Sequence, residues 1–471
     1  MRLLMALSAL LSAWTVQAAW PDPAIERFLE AEMKSSGAPG ISYGTLIDGQ
    51  IATAERGVSE LGLDSPVAPE SAFLVGSISK SFTSLAVMQL IEAEKLELDA
   101  PISLYLDSFE PGTSAGDTSI RQLMSHTSGY SMYQGNKWQS DSSMAPDALV
   151  QRVEEIASMK PDQQPGQRWD YSNINYMLLG RLIEVASGKS YAVYVETNIL
   201  KPAGMSDSFV HAAATHERLV TGHTPWFLSK RVMRQNGSGL AASPQGGIVS
   251  TAGDMLLYLG LMMNGQDDIL SAAGKRQMMT PASTVSPDYG FGWFLNTEQG
   301  IVSHSGSNPG YEALATMVPD ERKAAVILVN SGSGFALKNG FAMQYGFIDR
   351  ALGIEEDPGL PGSGAIWMLA YLVFAPLLFA ISIIVAWRGK AKLRAKSGVS
   401  GLLSLWFPLV AVGAQALILF ILVPRLFGAP LSAVWMFQPD SYVLIVAAAT
   451  SGLVWAIARL AIAYSARDSA A

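Results

Sequence analysis

The stretch LVGSISKSFTSLAVMQLIEAEKL, residues 74–96, combines a helical pattern with two chemically reactive side chains at its start. Its apolar residues recur three positions apart: Phe82, Leu85, Met88 and Ile91. This spacing predicts a helix over 81–96 with one buried face. Ser77 and Lys80 precede that face and are also three positions apart, so their side chains should lie together at the helix start.

A serine and a lysine at this spacing have a chemical use. A serine hydroxyl needs an adjacent base before it can attack a carbonyl, and an amine that is partly buried loses its charge readily. Ser77 is therefore a candidate nucleophile and Lys80 its activator. On the spacing alone a solvated surface lysine is the favoured interpretation, so the case for catalysis depends on two further segments.

The second segment is PGQRWDYSNINYMLLGRLIEVASG, residues 165–188, where Tyr171 and Asn173 precede an amphipathic helix. Beside a lysine ammonium the pKa of a tyrosine should fall, which predicts that Tyr171 accepts the proton of the serine. The amide of Asn173 suits both a substrate carbonyl and Lys80. The alternative is a helix cap by Ser172 or Asn173, with Tyr171 packed in the core.

The third segment is IVSHSGSNPGY, residues 301–311, in which His304 and Gly306 lie on a predicted strand. Because Gly306 has no side chain, a substrate backbone can lie against this strand. The N–H of Ser307 could join the N–H of Ser77 as an oxyanion hole. A lone histidine such as His304 is more often a structural residue.

The three motifs occur in a fixed order: Ser77-x-x-Lys80, Tyr171-x-Asn173 and His304-x-Gly306. Together they resemble the motifs of the serine β-lactamase and penicillin-binding-protein superfamily, in its class C β-lactamase-like (peptidase S12) branch. The resemblance extends over about residues 22–350. It implies an α+β fold, in which a five-stranded antiparallel sheet is flanked by helices and joined by a helical subdomain. It also implies DD-peptidase, D-amino-acid amidase, esterase or β-lactamase activity without a cofactor.

Two details refine what the resemblance implies. In TSGYSMYQ, residues 127–134, Gln134 matches a class C glutamine that binds the side-chain amide of the substrate. The third motif usually begins with a lysine, which holds a carboxylate, whereas this chain has His304. Because a histidine is mostly neutral at pH 7, we expect peptidase, amidase or esterase activity rather than β-lactamase activity.

Strand-like segments lie at both ends of the region before residue 353. GISYGTLIDGQIATAERGV, residues 40–58, predicts a hairpin at Asp48-Gly49. Three more strands are predicted within 300–332. The segments between the two ends are mostly helical, with helices predicted over 147–158, 174–187 and 252–263. This order predicts an antiparallel sheet in which the N-terminal and C-terminal strands pair.

Three apolar segments near the C-terminus are each long enough to cross a bilayer: 365–387, 402–423 and 442–464. Buried core helices are the alternative. The loop 388–396 has five basic residues and no acidic one, which predicts that it is cytoplasmic. A signal peptide over 1–19 and a linker over 353–364 then put a hydrolase domain, 20–352, on the periplasmic or extracellular side of a bacterial cytoplasmic membrane.

Composition limits the other possibilities. The chain has 471 residues, a net charge of -8 and no cysteine, which excludes disulfides and thiolate catalysis. No basic patch indicates nucleic-acid binding, and no histidine spacing indicates a metal site. The expected partner is a small-molecule or peptide substrate, of which a peptidoglycan-derived peptide is one candidate; the oligomeric state is open. A slowly deacylating sensor and an envelope accessory protein remain alternatives to an enzyme.

Overall fold

The computed structural model describes residues 20–211, 217–234, 239–334, 340–355 and 364–465. The predicted signal peptide and most of the predicted linker lie outside these residues. The strands are β1 (Gly40–Ile47), β2 (Gln50–Gly57), β3 (Phe73–Leu74), β4 (Phe209–Val210), β5 (His223–Trp226), β6 (Ser229–Val232), β7 (Ile248–Ser250), β8 (Phe294–Asn296), β9 (Ile301–Asn308), β10 (Tyr311–Val318) and β11 (Lys323–Val329).

The helices before residue 353 are α1 (Pro23–Ser36), α2 (Ser79–Glu92), α3 (Ile120–Met124), α4 (Met132–Gly135), α5 (Ala148–Ala157), α6 (Asn173–Ser187), α7 (Tyr191–Val195), α8 (Ser243–Gly246), α9 (Ala252–Met263), α10 (Ala272–Met278) and α11 (Gly340–Leu352). They are followed by α12 (Gly364–Arg388), α13 (Lys390–Arg394), α14 (Gly398–Leu417), α15 (Val423–Leu426), α16 (Leu431–Phe437) and α17 (Pro439–Tyr464).

The main sheet is antiparallel and has the strand order β2-β1-β11-β10-β9-β8. Asp48 and Gly49 join β1 to β2 and both have positive φ, which suits a two-residue hairpin turn. Strand β1 pairs with β11, so that Tyr43 lies opposite Ile327. The predicted hairpin and the predicted pairing of terminal strands are therefore confirmed.

The sheet has six strands rather than the five that the resemblance implied. The additional strand, β8, is three residues long and pairs with β9 through Leu295 and Val302. Without β8, the backbone groups along this part of β9 would have no strand partner. Because β8 is short, it exposes few unpaired backbone groups that could pair with a strand of another molecule. A segment of three residues gives too little alternation to be identified from sequence.

The two faces of the sheet are covered by helices. On one face, α1 and α11 pack against alternate strand residues such as Ile327, with Phe347 in the centre of this layer. On the other face, Val326 belongs to the larger core, which contains Phe82 of α2 and Leu256 of α9. Because neighbouring residues of a strand point to opposite faces, the apolar run of β11 is buried on both sides.

Helix α2 is buried nearly all round, which corrects the expectation of a single buried face. Its hydroxyl side chains form hydrogen bonds within the core: Thr83 donates to the Pro244 carbonyl at 2.6 Å and Ser81 to the Ile78 carbonyl at 2.8 Å. These partners offset the cost of burying polar groups. The apolar spacing could not reveal this, because the partners lie elsewhere in the fold.

In the part of the chain that the structure describes, three helices are long and apolar enough to cross a membrane: α12, α17 and the continuous helix Gly398–Leu426, which includes α14 and α15. Large apolar side chains such as Leu378, Ile381 and Phe407 are exposed on their surfaces. Core helices would bury these side chains. The exposure therefore contradicts the alternative of buried core helices and favours contact with lipid.

Candidate active site

The turn before α2 brings Ser77 against strand β9. It is a 3₁₀ turn over Gly76–Ile78, and Gly76 has a φ of 56°. A Cβ atom at Gly76 would lie 2.5 Å from the backbone nitrogen of Ser307. Only glycine allows both the positive φ and this close approach, so Gly76 sets the distance between the turn and the strand.

Lys80 is fully buried and is hydrogen-bonded to the serine. Its Nζ atom lies 3.0 Å from Ser77 Oγ and donates to the carbonyl oxygen of Gln245, also at 3.0 Å. Burial lowers the pKa of Lys80 well below its ordinary value, because a low-dielectric environment disfavours the ammonium ion. The alternative of a solvated surface lysine is therefore wrong.

Tyr171 completes a group of three reactive side chains. Its side chain lines the same cavity as Ser77, and Lys80 Nζ lies 4.9 Å from the centroid of its ring. Burial raises the pKa of Tyr171, so the prediction of a lowered value beside an ammonium ion was wrong. Burial disfavours the ammonium form of Lys80 and equally disfavours the phenolate form of Tyr171.

His126 connects the rim of the site to the start of α6. Its Nδ1 atom accepts the backbone N–H of Ser172 at 3.1 Å and lies 3.0 Å from Asn175 Nδ2. Its ring packs against Tyr171 with the centroids 4.2 Å apart. The Ser172 side chain forms no capping hydrogen bond, so the alternative of a serine cap is not observed.

Asn173 is the first residue of α6 and lines the same cavity as Ser77. Its Nδ2 atom donates to Asn136 Oδ1 at 2.8 Å. Its own Oδ1 atom is buried and has no hydrogen-bond partner among the residues that the structure describes. The sequence pattern did not identify Asn136, since nothing in its local segment indicates that it meets the second motif.

Gln134 makes hydrogen bonds away from this cavity. Its Oε1 atom accepts the N–H of Ser131 at 3.0 Å, in the capping box of α4. Its Nε2 atom donates to the Lys160 carbonyl at 2.9 Å. The cavity beside Ser77 is lined instead by Asn136 and Gln139. A substrate-binding role for Gln134 stays a prediction that would need a different side-chain position.

His304 carries no charge at neutral pH. Its Nδ1 atom donates to the Ser305 carbonyl at 2.6 Å, and its Nε2 atom accepts from the Tyr289 hydroxyl at 3.1 Å. Burial, with a smaller contribution from the ammonium form of Lys80, lowers the pKa of His304 to about 3. This residue therefore supplies no positive charge for a substrate carboxylate.

Gly306 of the third motif lets strand β9 lie close to the turn that carries Ser77. A Cβ atom at Gly306 would lie 1.9 Å from the carbonyl oxygen of Val75, so only glycine lets β9 pass this close to the turn that carries Ser77. Ser307 follows on the same strand and lines the cavity. Among the residues that the structure describes, no group of three or more histidine or acidic side chains is arranged to hold a metal ion.

Comparisons with known proteins give one consistent family. The Beta-lactamase family model matches residues 25–343. Penicillin-binding protein 4* of Bacillus subtilis (strain 168) is 30% identical over 295 residues, which are 58% of this chain and 64% of that protein. This chain therefore spans less than two thirds of that relative.

Solved structures give the same result. The octameric penicillin-binding protein homologue from Pyrococcus abyssi has a TM-score of 0.61 at 25% identity, covering 70% of this chain and 77% of that one. A class C beta-lactamase has a TM-score of 0.57 at 20% identity, covering 71% of this chain and 97% of that one. The second likeness concerns the fold alone.

Proposed function

The chain belongs to the β-lactamase family of serine hydrolases, and on this premise we propose that it is a membrane-anchored hydrolase that acts through an acyl-enzyme on Ser77. Its substrates are esters, amides or peptides, including peptidoglycan-derived peptides as one candidate. The observation that carries the proposal is the pair formed by buried Lys80 and Ser77, whose Nζ and Oγ atoms are 3.0 Å apart.

Lys80 is the base in the proposed first step. Burial lowers the pKa of Lys80, which favours its free amine form, and raises the pKa of Tyr171, which disfavours loss of its proton. Ser77 Oγ forms a bond to the substrate carbonyl carbon as its proton moves to Lys80 Nζ. The bond to the leaving group then breaks, and the proton passes to the departing oxygen or nitrogen through the Tyr171 hydroxyl.

In the second step a water molecule takes the place of the leaving group, and Lys80 is again the base. A water molecule loses a proton to Lys80 while its oxygen attacks the acyl carbon, and the ester bond to Ser77 breaks. The proton returns to Ser77 Oγ, so that the products are a carboxylic acid and the free enzyme. The N–H groups of Ser77 and Ser307 stabilise the negative oxygen that forms in both steps.

Substitution of Gly306 by alanine should disturb this oxyanion hole. The new methyl group would displace β9 from Val75, so we expect kcat for p-nitrophenyl butyrate to fall about 10²–10³-fold. Gly253→Ala is the matched control, because its Cβ atom would meet only Thr251 Oγ1, at 3.9 Å. Equal activity of the two variants would contradict the proposal that the close approach of β9 to Val75 is needed for catalysis.

The dependence of activity on pH tests the identity of the base. The pKa of an ordinary lysine is about 10.4, and burial lowers that of Lys80. We therefore expect kcat/KM to reach its plateau well below pH 10 and to fall at acid pH as Lys80 takes up a proton. His304 is neutral throughout this range. A tenfold increase per pH unit from pH 7 to 10 would contradict the assignment.

A substrate panel tests the proposed activity itself. Full-length protein in dodecyl maltoside micelles is assayed with p-nitrophenyl butyrate, a D-Ala-D-Ala peptide and nitrocefin. Because His304 is uncharged, and the peptide and nitrocefin both carry a carboxylate, we expect turnover of the ester to exceed that of either compound. A sensor would release one equivalent of product and then stop. Absence of both acylation and turnover with every compound would refute the proposed function.

We also propose the orientation in the membrane. The basic loop 388–396 lies between the first two apolar helices and favours the cytoplasmic side. The hydrolase domain would then be on the opposite, periplasmic or extracellular side of a bacterial cytoplasmic membrane.

A further inference from the structure

The cavity that contains Ser77 extends to the apolar helices. It has a volume of about 450 Å³, and its catalytic end is formed by Ser77, Tyr171, Asn173 and Ser307. Much of the remaining wall is apolar and comes from the membrane helices and the segment that joins them: Leu372, Leu419, Val423, Phe427, Val434 and Ile445. The nucleophile therefore faces a space that is shared between the hydrolase domain and the helix bundle.

These apolar residues lie at one end of the bundle. Leu372 is in the first half of α12, Leu419 is near the end of the second apolar helix, and Ile445 is near the start of α17. Leu372 is eight residues from the start of its helix, or about 12 Å along the axis. The basic loop 388–396 lies at the other end. The cavity thus opens at the depth where alkyl chains of the outer leaflet would be.

Contacts join the bundle directly to the rim of the site. Asn136, whose Oδ1 atom accepts from Asn173, donates through Nδ2 to the Gly428 carbonyl at 2.8 Å. On another side, Asp440 Oδ2 accepts the N–H of Phe227 at 3.1 Å. The apolar wall is therefore attached to residues that line the catalytic end, and it belongs to the site.

We propose that the substrate is a membrane amphiphile, namely an ester of a long-chain carboxylic acid, whose alkyl chain occupies the apolar part of the cavity while its carbonyl meets Ser77. This inference rests on the proposed function and names its substrate class. A peptide without an alkyl chain would bring polar backbone groups against a mostly apolar wall, in which Gln438 and Ser441 are polar exceptions. An alkyl chain from the adjacent bilayer enters without that cost.

The reaction follows the steps given above. Ser77 Oγ bonds to the acyl carbon, the ester C–O bond breaks, and the alcohol leaves with the proton that Lys80 removed from Ser77. Water then releases the long-chain acid and restores the serine hydroxyl. Each methylene that the cavity takes from water should increase kcat/KM by roughly fourfold.

The test compares p-nitrophenyl laurate with p-nitrophenyl butyrate on full-length protein in dodecyl maltoside micelles. Phe427→Ser removes part of the apolar wall and should lower the laurate/butyrate ratio of kcat/KM about tenfold. Phe407→Ser is the control, because Phe407 is similarly exposed, 68% against 63%, but does not line the cavity. The control keeps the wild-type ratio and also accounts for partition of laurate into the micelles.

Active-site titration with a fluorophosphonate shows whether each variant is folded. If Phe427→Ser does not fold, Val434→Ser is the second variant of the apolar wall. A laurate/butyrate ratio that falls in the wall variant and not in Phe407→Ser supports the inference. Equal ratios in all proteins, with butyrate hydrolysed, overturn the inference and leave the proposed function intact. If the wild-type protein hydrolyses neither ester and takes up no fluorophosphonate, the proposed function and the inference both fail.

Discussion

Substitution of Ser77 by alanine is expected to lower kcat/KM for p-nitrophenyl butyrate by at least about 10⁴-fold. The hydroxyl forms the covalent bond to the acyl group, and no other group can supply that bond in its place. Lys80 Nζ would still donate to the Gln245 carbonyl, so its buried amine keeps one partner. The variant should therefore stay folded while it loses turnover.

Two measurements accompany this prediction. The thermal unfolding midpoint of Ser77→Ala is compared with that of Ser84→Ala, another serine on the same segment that is buried and hydrogen-bonded, to Tyr176. Loss of activity in Ser77→Ala alone, at similar unfolding temperatures, supports the assignment. Turnover by Ser77→Ala within tenfold of the wild-type protein would remove Ser77 from the mechanism.

Substitution of Lys80 by methionine is expected to lower kcat/KM by about 10²–10⁴-fold, the usual contribution of a positioned general base. Methionine fills much of the same buried volume but cannot accept a proton. Acylation by a fluorophosphonate should slow in parallel, because the same proton must leave Ser77. If Lys80→Met acylates at the wild-type rate, another group, with Tyr171 the first candidate, is the base.

The same variant should change how stability depends on pH. Since burial lowers the pKa of Lys80 in the folded protein, the unfolded chain binds an extra proton between the folded and the unfolded pKa. Wild-type stability then rises with pH in that window, by up to about 1.4 kcal/mol per unit. The unfolding temperature of the wild-type protein relative to Lys80→Met should therefore fall as the pH is lowered from 10 to 7. A difference that does not vary with pH would contradict a neutral buried amine.

The sequence predicted those parts of the fold that depend on local pattern. The turn at Asp48-Gly49 needs two residues with positive φ, and this requirement is visible in the residue types themselves. The helix boundaries near 148–157 and 252–263 follow from apolar spacing. The three apolar helices follow from length and composition. In each case the residues of one short segment are sufficient to determine the structure of that segment.

The features that the sequence did not reveal depend on contacts between distant segments. The burial of Lys80 depends on the Gln245 carbonyl and on the surrounding core. The burial of Tyr171 itself reverses the shift expected for its pKa. Gln134 is held in a helix cap by Ser131, an interaction that competes with substrate binding. The spacing of the motifs carries no information about these environments.

Sequence patterns also did not predict that the apolar helices line the cavity that contains Ser77. Hydropathy identifies Leu372, Val423 and Ile445 as parts of apolar segments and gives no reason to associate them with Ser77. Hydrogen bonds such as that from Asn136 to Gly428 connect residues almost 300 positions apart. Only the folded chain shows that an anchor can also form one wall of the site.

The most direct test of the central claim is the mass of the protein after reaction with a fluorophosphonate, followed by peptide mapping. Convergence of Ser77, Lys80 and Tyr171 predicts one covalent adduct per chain at pH 8, located on Ser77 and strongly slowed in Lys80→Met. An unmodified protein, or an adduct on a different residue, would contradict the account.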